Sequence, residues 1–219
     1  LLPYPATVLA ALVCLVREVV FWGTAAVSLV RIAAGMAGGV LLGAVLAGLT
    51  SVNLWLEGLL APMIRMIRAT PVASFILLVL LWTGRNQVPA VISGLMVLPV
   101  VWENLTQGIR STDQQLLELA RAYRFSRGKV LRLVYLPSIK PYLLSALTTA
   151  MGLAWKSGVA AEVLCLPRPG IGTQINRAKQ AFETADLFAW TAVVILLSLV
   201  MERGLTWLIQ RKGRGEPRA

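Results

Sequence analysis

Long apolar blocks, separated by short polar turns, constrain this chain more than any other feature. They occupy roughly residues 24–49, 59–82, 88–107, 141–161 and 187–209. About 20 consecutive apolar residues span a bilayer as an α-helix. A soluble all-α core can bury one such block but hardly five. The pattern therefore predicts an all-α integral membrane protein with five visible spans. Composition agrees: 57% of residues are apolar and 14% are charged, where soluble domains carry about 25% charged residues.

The net charge of +11 arises from 21 Lys and Arg against 10 Asp and Glu. The basic residues flank the apolar blocks and form no soluble basic face, so nucleic-acid binding is set aside in favour of cytoplasmic connections rich in Lys and Arg. Cys14 and Cys165 stand alone in apolar surroundings, which suggests free thiols, not a disulfide framework or a metal site. Histidine is absent. That removes the commonest general base and a frequent metal ligand, and an enzyme within the membrane is disfavoured. No metal site is expected.

Charge also suggests an orientation. The stretch 108–140 carries Arg110, Arg121, Arg124, Arg127, Lys129, Arg132 and Lys140 against Asp113 and Glu118. The tail 210–219 carries Arg211, Lys212, Arg214 and Arg218 against Glu216. By the positive-inside tendency both are cytoplasmic, and two spans separate them, which is self-consistent. The turn 49–58 is then cytoplasmic, while the turn 83–87, the connection 164–186 and residues 1–22 are extracytoplasmic. Within that first stretch, residues 5–20 are broken by Arg17 and Glu18, as in a helix lying at the membrane surface. An outside N-terminal segment implies one further span ahead of Leu1. The outer connection is not free of positive charge, because it holds Arg168, Arg177 and Lys179.

Gly35, Gly39, Gly43 and Ala47 recur every four residues in the first block. On a helix they form a smooth stripe that admits a neighbouring backbone. That neighbour is either another helix of the same subunit or a second subunit.

The segment 113–141 reads DQQLLELARAYRFSRGKVLRLVYLPSIKP. Ser111, Thr112 or Asp113 can cap a short helix, and Leu116, Leu117 and Ala120 give it an apolar face. Such a helix rests on the membrane surface, on the protein's own underside, or in a groove on a soluble partner.

This segment resembles the cytoplasmic loop of permease subunits of binding-protein-dependent ABC importers, whose signature is Glu-Ala-Ala, three residues, Gly, about nine residues, Ile, one residue, Leu-Pro. Glu118, Ala120, Leu136 and Pro137 match in register, and Val134 stands for Ile. Leu119 replaces an alanine and Arg124 replaces the glycine. That glycine would let the loop turn between two short helices, a role that passes to Gly128 in this reading. Other pieces resemble the nitrate/taurine/sulfonate type: Leu2-Pro3-Tyr4-Pro5, Ser28-Leu29-Val30-Arg31, Arg68-Ala69-Thr70-Pro71, Ala154-Trp155-Lys156, Ala160-Ala161-Glu162 and Gly170-Ile171-Gly172.

The resemblance implies a type I ABC importer permease fold in a bacterial inner membrane, formed by one transmembrane permease domain over residues 1–219. It implies a second permease subunit, with a homodimer expected, an ABC ATPase that binds ATP and Mg, and an extracytoplasmic substrate-binding protein. No phosphate-loop motif is present, and no cofactor is expected in this chain. ATPase docking would fall to Leu116, Leu117, Glu118, Ala120, Arg121, Arg124, Phe125, Leu136 and Pro137. Pro137 and Pro141 would bend the chain where it re-enters the membrane. Ionisable residues inside spans are costly and point to function. Arg31, Glu103, Lys156 and Glu162 are therefore candidates for the translocation pathway, or for pairing between helices. The rival readings are a secondary transporter or channel that works without ATP, and the membrane subunit of an energy-coupling-factor vitamin transporter.

Overall fold

The computed structural model describes residues 3–213, with side chains through Trp207. Every element among them is helical: α1 (Pro5–Arg17), α2 (Val19–Val52), α3 (Leu54–Ala69), α4 (Val72–Trp82), α5 (Val88–Arg110), α6 (Gln114–Ala122), α7 (Arg127–Val130), α8 (Leu136–Cys165), α9 (Ile171–Gln180) and α10 (Thr184–Gly213). Among the described residues four helical stretches are long and apolar enough to cross a membrane, and the count is five when the bent pair α3–α4 is taken as one span.

The central contact joins α2 to α5. A side-chain carbon at Gly35 would overlap the carbonyl of Ala90, and one at Gly39 would overlap the carbonyl of Gly94. At Gly43 it would stand 2.9 Å from the Leu98 carbonyl oxygen. The small-residue stripe therefore packs inside the subunit, and the inter-subunit alternative for it is not needed. Lipid offers no hydrophobic gain to associating helices, so close backbone approach supplies much of their attraction. On the other side of α5 lies α8: Ser93 donates to the Ala154 carbonyl at 3.1 Å, and Gly108 meets the Tyr142 ring. Trp155, fully buried, donates to the Val194 carbonyl of α10 at 3.1 Å. Outward positions such as Leu41, Leu42, Val45, Ile195, Leu196 and Val200 stay exposed, as lipid-facing side chains do.

Several sequence boundaries are corrected. The expected single span 59–82 is two helices bent by 108°. Proline 71 has no N–H and pushes Thr70 out of the helical region, to ψ 134°. The first long helix starts five residues early, at Val19, after an extended Glu18. Residues 5–17 form a helix of 13 residues, about 20 Å long and too short to span alone. The basic stretch 108–140 is mostly helical, because α7, a π-helical turn (Leu131–Tyr135) and α8 run on without a break. Tyr135 and Leu136 keep helical dihedrals, so the chain does not break before Pro137, and Pro141 lies inside α8. The turn, with its i→i+5 bonding, carries the chain into α8 where a proline bend was expected. Residues 214–219 of the basic tail lie outside the described residues.

If the α2–α5 contact sets the stability of the bundle, Gly39→Ala destabilises it by about 1–3 kcal/mol, the usual cost of overpacking. Gly38→Ala, one position round the helix with nothing within 4 Å, leaves it unchanged. Thermal unfolding of both variants in detergent separates them.

Candidate functional site

The two ends of the bundle carry different chemistry. At the end where α8 leads into α9, Glu162 is 0% exposed. Its Oε1 accepts from Arg31 Nη1 at 2.8 Å, and its Oε2 accepts from Ser28 Oγ at 2.9 Å and from the Gly172 N–H at 3.0 Å. Ser28 in turn accepts from the Ile171 N–H at 2.9 Å. Arg31, only 12% exposed, also donates to the Pro169 carbonyl at 3.1 Å. One carboxylate thus ties α2, α8 and the first turn of α9 together. A buried charge is tolerated when paired and fully hydrogen-bonded, and each oxygen here has partners. Gly172 is required by the same packing, because a side-chain carbon there would lie 2.5 Å from the Glu162 Cβ.

The structure therefore brings Arg31 and Glu162 together and separates them from Glu103 and Lys156. Glu103 of α5 pairs with Arg68 of α3, and Glu57 at the start of α3 pairs with Arg110 at the end of α5. These two pairs, with Arg65, Trp102 and Thr106, line a cavity of about 200 Å³. Thr106 is buried, and its hydroxyl has no hydrogen-bond partner among the described residues. Neither pair was legible beforehand. A bend at Pro71, which folds α3 back onto α5, was the available signal.

Lys156 lies exposed on α8, in line with Thr149, Leu153, Ala160 and Leu164. The spacing of three and four residues puts all five on one face. That face also carries exposed Ser145 and Thr148, whereas the opposite face packs Ala146, Ala150, Ala154 and Trp155 into the core.

At the other end of the bundle, Asp113 caps α6 by accepting from the Gln115 N–H at 2.8 Å. The expected apolar face divides in two. Ala120 is 3% exposed and Leu117 is half-buried, so this side of the helix is turned away from solvent. Leu116 and Leu119 point away and are exposed, as are Glu118, Arg121, Tyr123, Arg124 and Phe125. Leu136 and Pro137 are exposed as well, and Val134 is buried. Tyr123 and Phe125 face one another at 6.4 Å, with Lys129 Nζ 5.7 Å from the Phe125 ring centre. The turn after α6 is made by Arg124 itself, at φ 49°, with the Phe125 N–H donating to the Ala120 carbonyl at 2.9 Å. Gly128 sits inside α7 and does not take over the turn. The substituted arginine occupies the left-handed conformation that glycine would adopt at lower cost.

The described residues thus form a helical bundle of the polytopic membrane class, with a buried charged hub at one end and an exposed amphipathic helix at the other. Residues 39–214 match the family described as the binding-protein-dependent transport system inner membrane component, and the chain belongs to that family. It is 29% identical over 191 residues to the bicarbonate transport system permease protein CmpB of Synechococcus elongatus, covering 86% of this chain and 68% of that protein. It is 28% identical to the taurine transport system permease protein TauC of Escherichia coli, covering 89% of this chain and 70% of that protein. Against the putative aliphatic sulfonates transport permease protein SsuC of Bacillus subtilis the identity is 28%, over 96% and 76%. A chain from the crystal structure of an amino acid ABC transporter with histidines superposes with a TM-score of 0.68, covering 86% of this chain and 90% of that one at 18% identity. The fold is that of an ABC importer permease. Membership brings an inner-membrane location and two kinds of partner, an ABC ATPase and a substrate-binding protein.

Removing the Glu162 side chain strands Arg31 in a nearly buried site. Glu162→Ala is expected to cost about 3–5 kcal/mol, and pairing it with Arg31→Met to recover a large part of that loss. A double-mutant cycle of unfolding midpoints in detergent measures the coupling.

Proposed function

We propose that this chain forms the translocation pathway of an ATP-driven importer as a homodimer, and that it docks its ATPase through α6 and the turn that follows. In this reading the end bearing α6 is cytoplasmic and the end bearing α9 is extracytoplasmic. The observation that carries it is the outward half of α6: Leu116, Leu119, Tyr123 and Phe125 are exposed together, ringed by Arg121, Arg124 and Lys129. Apolar and aromatic side chains in such a cluster mark a surface that another protein covers. Ala120 and Leu117 are turned away from solvent, and Leu116, Leu119 and Phe125 face the partner. Movement of the ATPase is then passed to α5, one turn upstream, through Thr112 and Arg110.

The pathway is assigned to the exposed face of α8. A lysine facing lipid in mid-span costs about 2.5–3.5 kcal/mol. Lys156, with Thr149 and Ser145 on the same side, therefore faces water or a second copy. One relative is named for riboflavin; the cargo class rests on those named for bicarbonate, taurine and sulfonates. Each is an acid or bears an acidic group, and Lys156 is placed to offset that charge as the cargo passes.

Leu119→Asp and Phe125→Asp should abolish co-purification with the ATPase while leaving the permease inserted. Both variants retaining the ATPase at wild-type stoichiometry would refute the docking role. For the pathway, Ala160→Cys in a Cys14→Ser background should react with a hydrophilic thiol reagent or cross-link between two copies. Reaction with lipid-soluble reagents alone would place this face against lipid.

A further inference from the structure

Three arginines from three different segments line one cleft at the α9 end of the bundle. Arg85 lies in the α4–α5 turn, Arg168 in the α8–α9 connection and Arg177 in α9. The cleft measures about 770 Å³ and is also lined by Asn86, Gln87 and Asn176, with no acidic side chain. None of the three arginines forms an ion pair with a carboxylate among the described residues. The walls are fixed: the Arg168 N–H donates to Asn86 Oδ1 at 3.2 Å, and Asn176 Nδ2 donates to the Val163 carbonyl at 3.0 Å. Beneath them, the Glu162 hub holds the start of α9.

Arginine is disfavoured on the outer side of a membrane protein. These residues therefore need a cause stronger than topology, and their convergence on one cleft supplies it. Two positions past Gln180, which also lines the cleft, Phe182 is 86% exposed at φ 59°. Its left-handed conformation closes α9, with the Glu183 N–H donating to the Ala178 carbonyl at 3.0 Å, and the cap leaves the ring in solvent at the edge of the cleft.

We propose that this cleft seats acidic side chains of the extracytoplasmic substrate-binding protein, with Phe182 as an apolar anchor at its edge. The proposal rests on the orientation assigned above. The positive charge of the cleft calls for an acidic occupant, and its exposure calls for one large enough to cover it. All three guanidinium groups are exposed. A free small anion would therefore stay hydrated and gain little from them. A protein face that covers the cleft excludes water and strengthens each pair. Guanidinium groups match carboxylates in two-pronged geometry, and arginine with aromatic residues is the composition of protein interfaces.

The test uses the assembled transporter in phosphatidylcholine nanodiscs and its own purified binding protein. The variants Arg85→Glu, Arg168→Glu and Arg177→Glu should each weaken binding about tenfold or more at low salt, with the difference shrinking as salt screens the pairs. Reversing an acidic residue on the binding protein should restore affinity to one of them. Wild-type affinity in the intact triple variant would overturn the proposal. So would a dependence on the arginines that appears only with phosphatidylglycerol, which would assign the cleft to lipid. Orientation is read separately, from labelling of Gln180→Cys in a Cys14→Ser background by an impermeant maleimide. Labelling from the inner side would sink the orientation; labelling from outside with unchanged affinity would sink the docking proposal alone.

Discussion

Lipid cannot hydrogen-bond to the main chain, and every architectural feature of this protein answers that constraint. The backbone is helical through the apolar blocks except at the Thr70–Pro71 break, and what remains is to hold the helices together without a hydrophobic drive between them. Two devices do so. Glycines at every fourth position let α2 and α5 meet backbone to backbone. At one end, the Glu162 carboxylate gathers donors from α2 and α9 into a single buried hub. The first device acts through dispersion at short range, the second through charge in a medium of low dielectric.

These devices leave the two ends free for different tasks. The hub fixes the start of α9, and with it the loops around the arginine cleft. At the far end, α6 buries Ala120 and turns its larger side chains outward. A partner at either end thus meets a preformed surface. Between the ends runs α8, about 45 Å long at 30 residues, with one face in the core and one face open.

Much of this was legible in the sequence, for reasons that can be stated. The spans follow from block length, and the glycine stripe from its period, because both are local patterns. The position of α6 is local too, and so is its cap, which the sequence narrows to Ser111, Thr112 or Asp113 and the structure assigns to Asp113. The pairing of Arg31 with Glu162 was not legible, since the partners are 131 residues apart and any other intramembrane charge was an equal candidate. Likewise, Arg168 and Arg177 looked like exceptions to the charge rule and Arg85 was not singled out, until the fold placed all three around one cleft. Pro71 was visible, yet its effect depends on whether α3 finds something to fold against, and that is a tertiary matter. At Arg124 the family's glycine is missing, but its backbone conformation survives, so the residue type was a poorer guide than the role.

The break at Thr70 has a consequence for the membrane itself. At 16 and 11 residues, α3 and α4 are about 24 and 16 Å long, and neither leg alone crosses a hydrocarbon layer about 30 Å thick. If the pair enters the membrane as a broken span or a re-entrant loop, the interrupted main chain between them cannot leave bare carbonyls facing lipid. Around residue 70 the insulator is accordingly polypeptide or water, and the electrical thickness of the barrier is set there by the protein and not by the bilayer.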